Sequence, residues 1–467
     1  MRPQNEAARA RLESVLQRNG LSSAVQLSNL LSVSVPTVHR ILHERGDQII
    51  RLGTTKLARY AFRRAVRGRQ APISVYMINE QGLGSHGGVL NLIAPQGSIW
   101  ALNSLGWPVD AEHAAGVWAG LPYPVYDMRP QGYLGRIFAQ QAALDLDVPT
   151  DPERWSDDHI VDVLSRRGAD TPGNLILGDD AYALWLHSVA SPQPVIESNQ
   201  VPDCYMALAS EATALIGSGS SAGGEFPKFT AKRALEGSNT PHVIVKFSGA
   251  DESSTIQRWS DLLVCEHLAL ETLQAHTRLR ASKSRIIKAG GRTFLELERF
   301  DRSGEFGRSS LISLASLDAS FIGSGNGDWP TLIETLVGLS MVSIELALDV
   351  QVLWWFGRLI ANNDMHLGNL SFQLNATDNT GLNLCLSPAY DMLPMLYAPL
   401  SGGEVPLRQF VVALPLPSEE LAWKIAHAAA IYFWQAASQH AQISPLFRKV
   451  CKINLMQLQQ LQQFKLV

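Results

Sequence analysis

The chain has 467 residues, 46% hydrophobic and 18% charged, with a formal net charge of −4. That length exceeds one compact core, so two to four domains or lobes are expected, and the composition is that of a folded protein, not a disordered one. The polar N-terminus MRPQNEAARARLESV, the lack of any apolar window of membrane-spanning length and four dispersed cysteines (Cys204, Cys265, Cys385, Cys451) argue against secretion, membrane insertion and a disulfide scaffold, and point to a cytoplasmic protein.

Charge is uneven along the chain. Residues 1–70 carry 13 Lys/Arg against 4 Asp/Glu, a net of +9, on a body of −13. A basic head on an acidic body points to a nucleic-acid contact confined to the head, although a solvated basic surface gives the same count. Ala8, Leu12, Val15 and Leu16 share a helical face. Ser22-Ser23 offers an N-cap to a short helix with Val25, Leu27, Leu30 and Leu31. After a Ser32-Val33-Ser34 turn, Pro36 suits the first turn of a helix from Val35 to Arg45. This is helix–turn–helix spacing, and Ile49–Gly53 with Ala58–Phe62 would be two strands of a wing. Thr37, His39, Arg40 and His43 are the candidate base-contacting residues; Arg51, Lys56 and Arg59 are candidates for phosphate. Proteins with this motif commonly pair on two half-sites, which makes a homodimer a candidate state.

Arg63 to Gln70 reads as a basic linker closing a domain of residues 1–70. Residues 71–200 hold short apolar strands, such as Ile73–Met77 and Val89–Ile93, between loops rich in Gly, Pro and Asp. They read as an added α/β subdomain without chemistry of its own.

From residue 201 the parts of a phosphoryl-transfer site follow in order: an N-lobe over 201–302 and a helical C-lobe over 303–467. The small-residue loop Gly217–Gly224, with Ser220, Ser221, Gly223 and Gly224, would let backbone amides approach phosphate; alone it would read as a linker. The strand His242–Phe247 carries Lys246 where a phosphate-contacting lysine belongs. The helix Trp259–Leu273 offers Glu266 as its partner, with Asp261 and Glu271 as alternatives. A hairpin turning at Gly290-Gly291 leads to Glu298-Arg299-Phe300-Asp301, a hinge whose Glu298 and Phe300 backbone groups would meet adenine. Residues 331–360 read as buried helix. It delivers Asn363-Asp364-Met365-His366-Leu367-Gly368-Asn369, followed later by Tyr390-Asp391. Asp364 can accept a proton from an attacking hydroxyl, Asn369 and Asp391 can hold magnesium, and His366 can fix the loop. An Asp-x4-Asn is often only a cap or an Asx-turn, but the other parts in order argue against that here.

Together, Ser220-Ser221-Ala222-Gly223, Lys246, Glu298–Arg302, Asn363–Asn369 and Ala389-Tyr390-Asp391 resemble the HipA family of serine/threonine protein kinases, the toxins of bacterial toxin–antitoxin pairs. The resemblance implies an α+β, two-lobed protein-kinase-like (HipA-like) fold, here with an N-terminal winged helix–turn–helix domain and an added α/β subdomain. It implies ATP and Mg²⁺ as cofactors, with Lys246 on the ATP phosphates, Asp364 as base, and Asn369 and Asp391 on the metal. It also implies inhibitory autophosphorylation at Ser220 or Ser221, an antitoxin partner, and a translation-related protein substrate such as an aminoacyl-tRNA synthetase. Two departures stand out. The loop continues Gly224-Glu225-Phe226-Pro227-Lys228, which puts nucleotide contacts from Lys228 in doubt, and a DNA-binding head is fused to the kinase. The competing readings are a small-molecule phosphotransferase and a transcription regulator whose kinase-like domain is only a sensor.

Overall fold

The computed structural model describes residues 3–54, 57–216, 225–375 and 384–463. The chain begins with α1 (Pro3–Asn19), β1 (Ser22–Ser23), α2 (Ala24–Leu31), α3 (Val35–Glu44), β2 (Ile49–Leu52) and β3 (Arg59–Phe62). Ser23 caps α2 in a capping box with Gln26, and Ser32 ends it in the left-handed region at φ 56°. The strands form an antiparallel sheet of order β1-β3-β2. Leu12, Leu16, Leu27, Leu31, Val38 and Ile41 from the helices and Tyr60 and Phe62 from β3 close the head's core.

The basic run 63–70 is not a linker. Arg63 donates to the Asp47 carbonyl at 2.9 Å and to Asn91, Arg64 pairs with Asp158, and Arg67 pairs with Asp147 and with the buried Asp162, each at 3.2 Å. The backbone binds too: Ala94 donates to the Phe62 carbonyl and Arg64 to that of Leu92. A shared apolar cluster of Ile50, Ala61, Ile93 and Ile99 lies underneath. The head is thus strapped to the next unit; the acidic partners of Arg64 and Arg67 lie 80–95 residues downstream, where no local pattern reveals them.

That unit has a five-stranded antiparallel sheet, β4 (Ile73–Ile78), β5 (Gly84–Leu92), β6 (Ser98–Ile99), β7 (Val117–Trp118) and β8 (Leu175–Leu177), in the order β7-β6-β5-β4-β8. It also carries α4 (Tyr123–Asp127), α5 (Gly132–Ala143), α6 (Asp157–Arg167) and α7 (Asp179–Ala190). Next come α8 (Val201–Ile216) and a four-stranded antiparallel sheet of order β11-β12-β10-β9, from β9 (Lys228–Lys232), β10 (His242–Phe247), β11 (Ser284–Ala289) and β12 (Arg292–Glu298). The long α9 (Ser254–His276) lies against this sheet; Ser253 caps it and Leu262, Leu263, Leu270 and Leu273 are buried.

The remainder holds β13 (Arg302–Ser303), β14 (Gly307–Arg308), β15 (Ile312–Ser313), α10 (Leu314–Leu317), α11 (Trp329–Gly338), α12 (Ile344–Leu359), β16 (Ser371–Leu374), β17 (Leu384–Leu386), α13 (Glu420–Gln439) and α14 (Pro445–Gln463). The apolar run 331–360 is two helices, α11 and α12, parted at Ser340, whose φ of 57° cannot continue a helix. One continuous apolar core joins the middle unit, α9 and the C-terminal helices. None of the helices described is long and apolar enough to cross a membrane.

Candidate active site

β10 runs between β9 and β12, which places Lys246 directly opposite Lys228 on one side and Leu295 on the other. The Lys246 side chain turns toward α9. Its Nζ donates to both oxygens of Glu266, at 2.7 and 2.8 Å, and also to Oδ1 of Asp391. Lys246 is 5% exposed and Glu266 is fully buried. Of the three acids offered by α9, Glu266 alone takes this role. Asp261 accepts from the Ser444 amide and hydroxyl at 2.7 Å each, and the exposed Glu271 sits by His267.

The charges reinforce one another. Burial alone would lower the Lys246 ammonium, but Asp391 and Glu266 raise it well above its ordinary value. Burial would raise the Asp391 carboxyl, yet Lys246, and Lys228 further off, hold it below the usual range. Glu266, fully buried, stays raised by burial despite Lys246.

After α12 the chain turns at Ala361 (φ 60°) and enters the candidate catalytic loop. Asn362 bridges the site: its Nδ2 donates to the Asp391 carbonyl at 3.2 Å and its Oδ1 accepts from the Asp364 amide at 3.1 Å. Asn369 Nδ2 donates back to the Asp364 carbonyl at 2.8 Å, so any metal ligation by Asn369 falls to Oδ1. The exposed His366 accepts from the Gly368 amide at Nδ1, and the Trp329 indole donates to its carbonyl at 3.2 Å. Tyr390 donates to the Gly368 carbonyl at 2.7 Å and meets the Ser371 hydroxyl at 2.6 Å. Asp391 itself sits at φ 53°, a backbone position rarely open to a non-glycine residue. Asp364 is exposed at the loop's surface. Partial desolvation, with Asp391 and Glu225 nearby, raises its carboxyl, and His366 opposes this. The donor set suits a magnesium ion: Asn369 Oδ1 and the carboxylate of Asp391 are hard oxygens, and such sites add phosphate oxygens to one or two protein groups.

Ser220, Ser221, Gly223 and Gly224 lie outside the described residues, as does Lys56. The carboxylate of Glu225 accepts from the Tyr133 amide at 2.8 Å, Arg136 at 3.0 Å and Lys228 at 3.0 Å. At the expected hinge, the Glu298 amide already donates to the Lys283 carbonyl at 2.9 Å and the Phe300 carbonyl accepts from Gln373 at 3.3 Å. The Phe300 ring lies against that of Tyr390, with centroids 5.6 Å apart. In the head, His39, Arg40 and His43 are exposed on α3 and Thr37 is half-buried. Arg51 is exposed and folds back onto the carbonyls of Gly53 and Thr54.

The profile of the HipA-like C-terminal domain matches residues 220–454, and that of the YjjJ-like toxin middle domain matches residues 69–186. Toxin YjjJ of Escherichia coli (strain K12) is 34% identical over 433 residues, which span 93% of this chain and 94% of that protein. The chain belongs to the HipA-like, YjjJ-type toxins. Among solved structures, HipA of Shewanella oneidensis MR-1, from a complex with HipB and operator DNA, aligns at TM-score 0.46 and 13% identity over 82% of this chain and 96% of that one. The Helicobacter pylori proinflammatory kinase CtkA aligns at TM-score 0.35 and 10% identity over 50% and 88%.

In this YjjJ-type chain the middle domain reaches the site through residues that sequence reasoning passed over. Asp127 accepts from the Ser313 amide, from the Ser313 hydroxyl at 2.6 Å and from Ser316 at 2.8 Å. Ser313 pairs with Ser371, which meets Tyr390. Asp170 pairs with Arg299 and Arg302 next to the hinge. Asn362 was missed as well, although it stands beside the motif: Asn362-Asn363-Asp364 carries no sign of which amide faces Asp391.

Proposed function

We propose that the chain is a Mg-ATP-dependent serine/threonine protein kinase of the HipA toxin type. The observation that carries this reading is Lys246 held between Glu266 and Asp391, with Asn362 joining Asp391 to the Asp364 loop. Asn369 Oδ1 and Asp391 would hold magnesium, which would supply positive charge to offset that of the nucleotide's phosphates. Lys246, fixed by Glu266, would hold the phosphates once Asp391 turns to the metal. Asp364, its carboxyl raised above the ordinary value by partial desolvation, would take the proton of the attacking hydroxyl. Backbone groups at Glu298 and Phe300 remain the adenine-binding candidates. Ser220 or Ser221 is the proposed autophosphorylation site, where added charge would oppose nucleotide binding. The substrate is proposed to be a translation-related protein such as an aminoacyl-tRNA synthetase, a reading that rests on family kinship.

The head is read as a winged helix–turn–helix: α3 presents His39, Arg40 and His43 outward, with the β2–β3 hairpin as wing. It would bind DNA, as a monomer or on paired half-sites as a homodimer. An antitoxin partner is part of the same proposal.

The test is transfer of labelled γ-phosphate from Mg-ATP to the purified chain, wild type beside Asp364→Ala, with the modified residue mapped. Label on Ser220 or Ser221 that vanishes in the variant supports the reading. ATP binding without transfer to protein would favour the sensor or small-molecule alternatives.

A further inference from the structure

A cavity of about 490 Å³ lies where the middle domain meets the outer end of the β9–β10–β12 sheet. None of Lys246, Asp364, Asn369 or Asp391 lines it. Arg299, Arg302 and Arg308 line its polar side together with Asp170 and Glu305, and Trp185, Leu208 and Phe306 contribute apolar wall.

The three arginines share two aspartates. Arg299 spends Nε and Nη2 on Asp301 at 3.0 and 2.9 Å, and Nη1 on Asp170 at 3.3 Å. Arg302 reaches Asp301 and Asp170 at 2.6 Å each, plus the carbonyls of Gly173 and Thr171. Arg308 hydrogen-bonds to neither acid. Its Nη2 donates to the Ala169 carbonyl, its Nη1 has no partner among the described residues, and the residue is 5% exposed. Burial, then the neighbouring Arg302, push its guanidinium down to about 9, although Asp170 and Asp301 act the other way. The other charged groups at the cavity do not relieve it: Lys232 pairs with Glu305 at 3.5 Å, and His242 meets the Glu305 carbonyl at 2.8 Å. Three buried guanidiniums thus share two carboxylates, an excess of one positive charge that an arriving anion would offset.

Arg308 is also held in place. Its amide donates to the Asn79 carbonyl at 2.9 Å, and a Cβ on the preceding Gly307 would stand 2.0 Å from the Glu80 carbonyl oxygen, so the strand is pressed against the middle domain. The cavity is of small-molecule size, and it pairs a fixed charge with an apolar wall.

We propose that this cavity binds a small organic anion, a single phosphate or carboxylate group on an aromatic or aliphatic body, with Arg308 taking the anion and Trp185, Leu208 and Phe306 the body. The proposal is independent of kinase activity. Isothermal titration calorimetry on the full chain tests it, with phenyl phosphate and inorganic phosphate as probes. The variants are Arg308→Gln, the cavity-filling Leu208→Trp, and Lys246→Met as a control for the nucleotide cleft. Phenyl phosphate should bind one site more tightly than inorganic phosphate. It should weaken about tenfold or more in Arg308→Gln and in Leu208→Trp, and be unchanged in Lys246→Met. If Arg308→Gln does not fold, Leu208→Trp decides. The proposal is overturned if phenyl phosphate fails to bind. It is equally overturned if binding is lost in Lys246→Met while the cavity variants retain it.

Discussion

Asn362 and Asp391 are joined across 29 residues by one hydrogen bond, from the Asn362 side chain to the Asp391 carbonyl, and the same side chain accepts from the Asp364 amide. One amide therefore sets the separation of the proposed base and the proposed metal ligand. Asn362→Ala should lower kcat about a hundredfold with little change in KM for ATP, because it misplaces reacting groups and leaves Lys246 and the hinge intact. Steady-state kinetics with a peptide or autophosphorylation readout checks this; an unchanged kcat would remove Asn362 from the site.

Asp364 carries a second prediction, with a sign. Its carboxyl is raised in the folded chain, so its ionised form costs stability. The cost is absent below the unfolded value of about 4 and grows as pH rises through the folded value. Asp364→Asn should therefore abolish transfer yet raise the melting temperature slightly at pH 7, with the gain vanishing near pH 3. In the wild type, kcat/KM should fall as pH drops through the raised value, since the base must be ionised.

The head's strap gives a stability prediction. The Asp162 side chain is 3% exposed and pairs with Arg67 at 3.2 Å and Arg166 at 3.0 Å. Asp162→Ala leaves both arginines without that acid and should cost about 3 kcal/mol in urea unfolding. Limited proteolysis should then cut within residues 63–70 of the variant and spare that run in the wild type.

For the proposed DNA contact, Arg40→Ala should weaken binding and reduce the slope of log K against log salt by about one if Arg40 meets phosphate. A loss confined to one base position would instead make it a base reader.

The site was legible in sequence where each residue stands inside a local signal. Lys246 sits in an apolar strand, and Asp364 and Asn369 lie five apart after a buried helix. Asp391 follows a tyrosine. Glu266 was one of three acids on its helix, and only packing against β10 selects it. Asp127, Asp170 and Asn362 were not legible, because their meaning lies in partners 29 to 189 residues away. The helices of the middle domain were left unplaced for a related reason: α5, α6 and α7, of 11–12 residues each, lie in a segment where only strands and loops were picked out.

The strap also bears on how fragments of this chain would behave. Arg63, Arg64, Arg67 and Arg69 count toward the positive charge of the first 70 residues, but in the whole chain they are met by the body's Asn91, Asp158, Asp147, Asp162 and Asp180. A head cut free at residue 70 would expose them all. It would cling to any polyanion more strongly, and with less discrimination, than the same residues do in the intact protein. Affinities measured on such a fragment would overstate the reach of the native head.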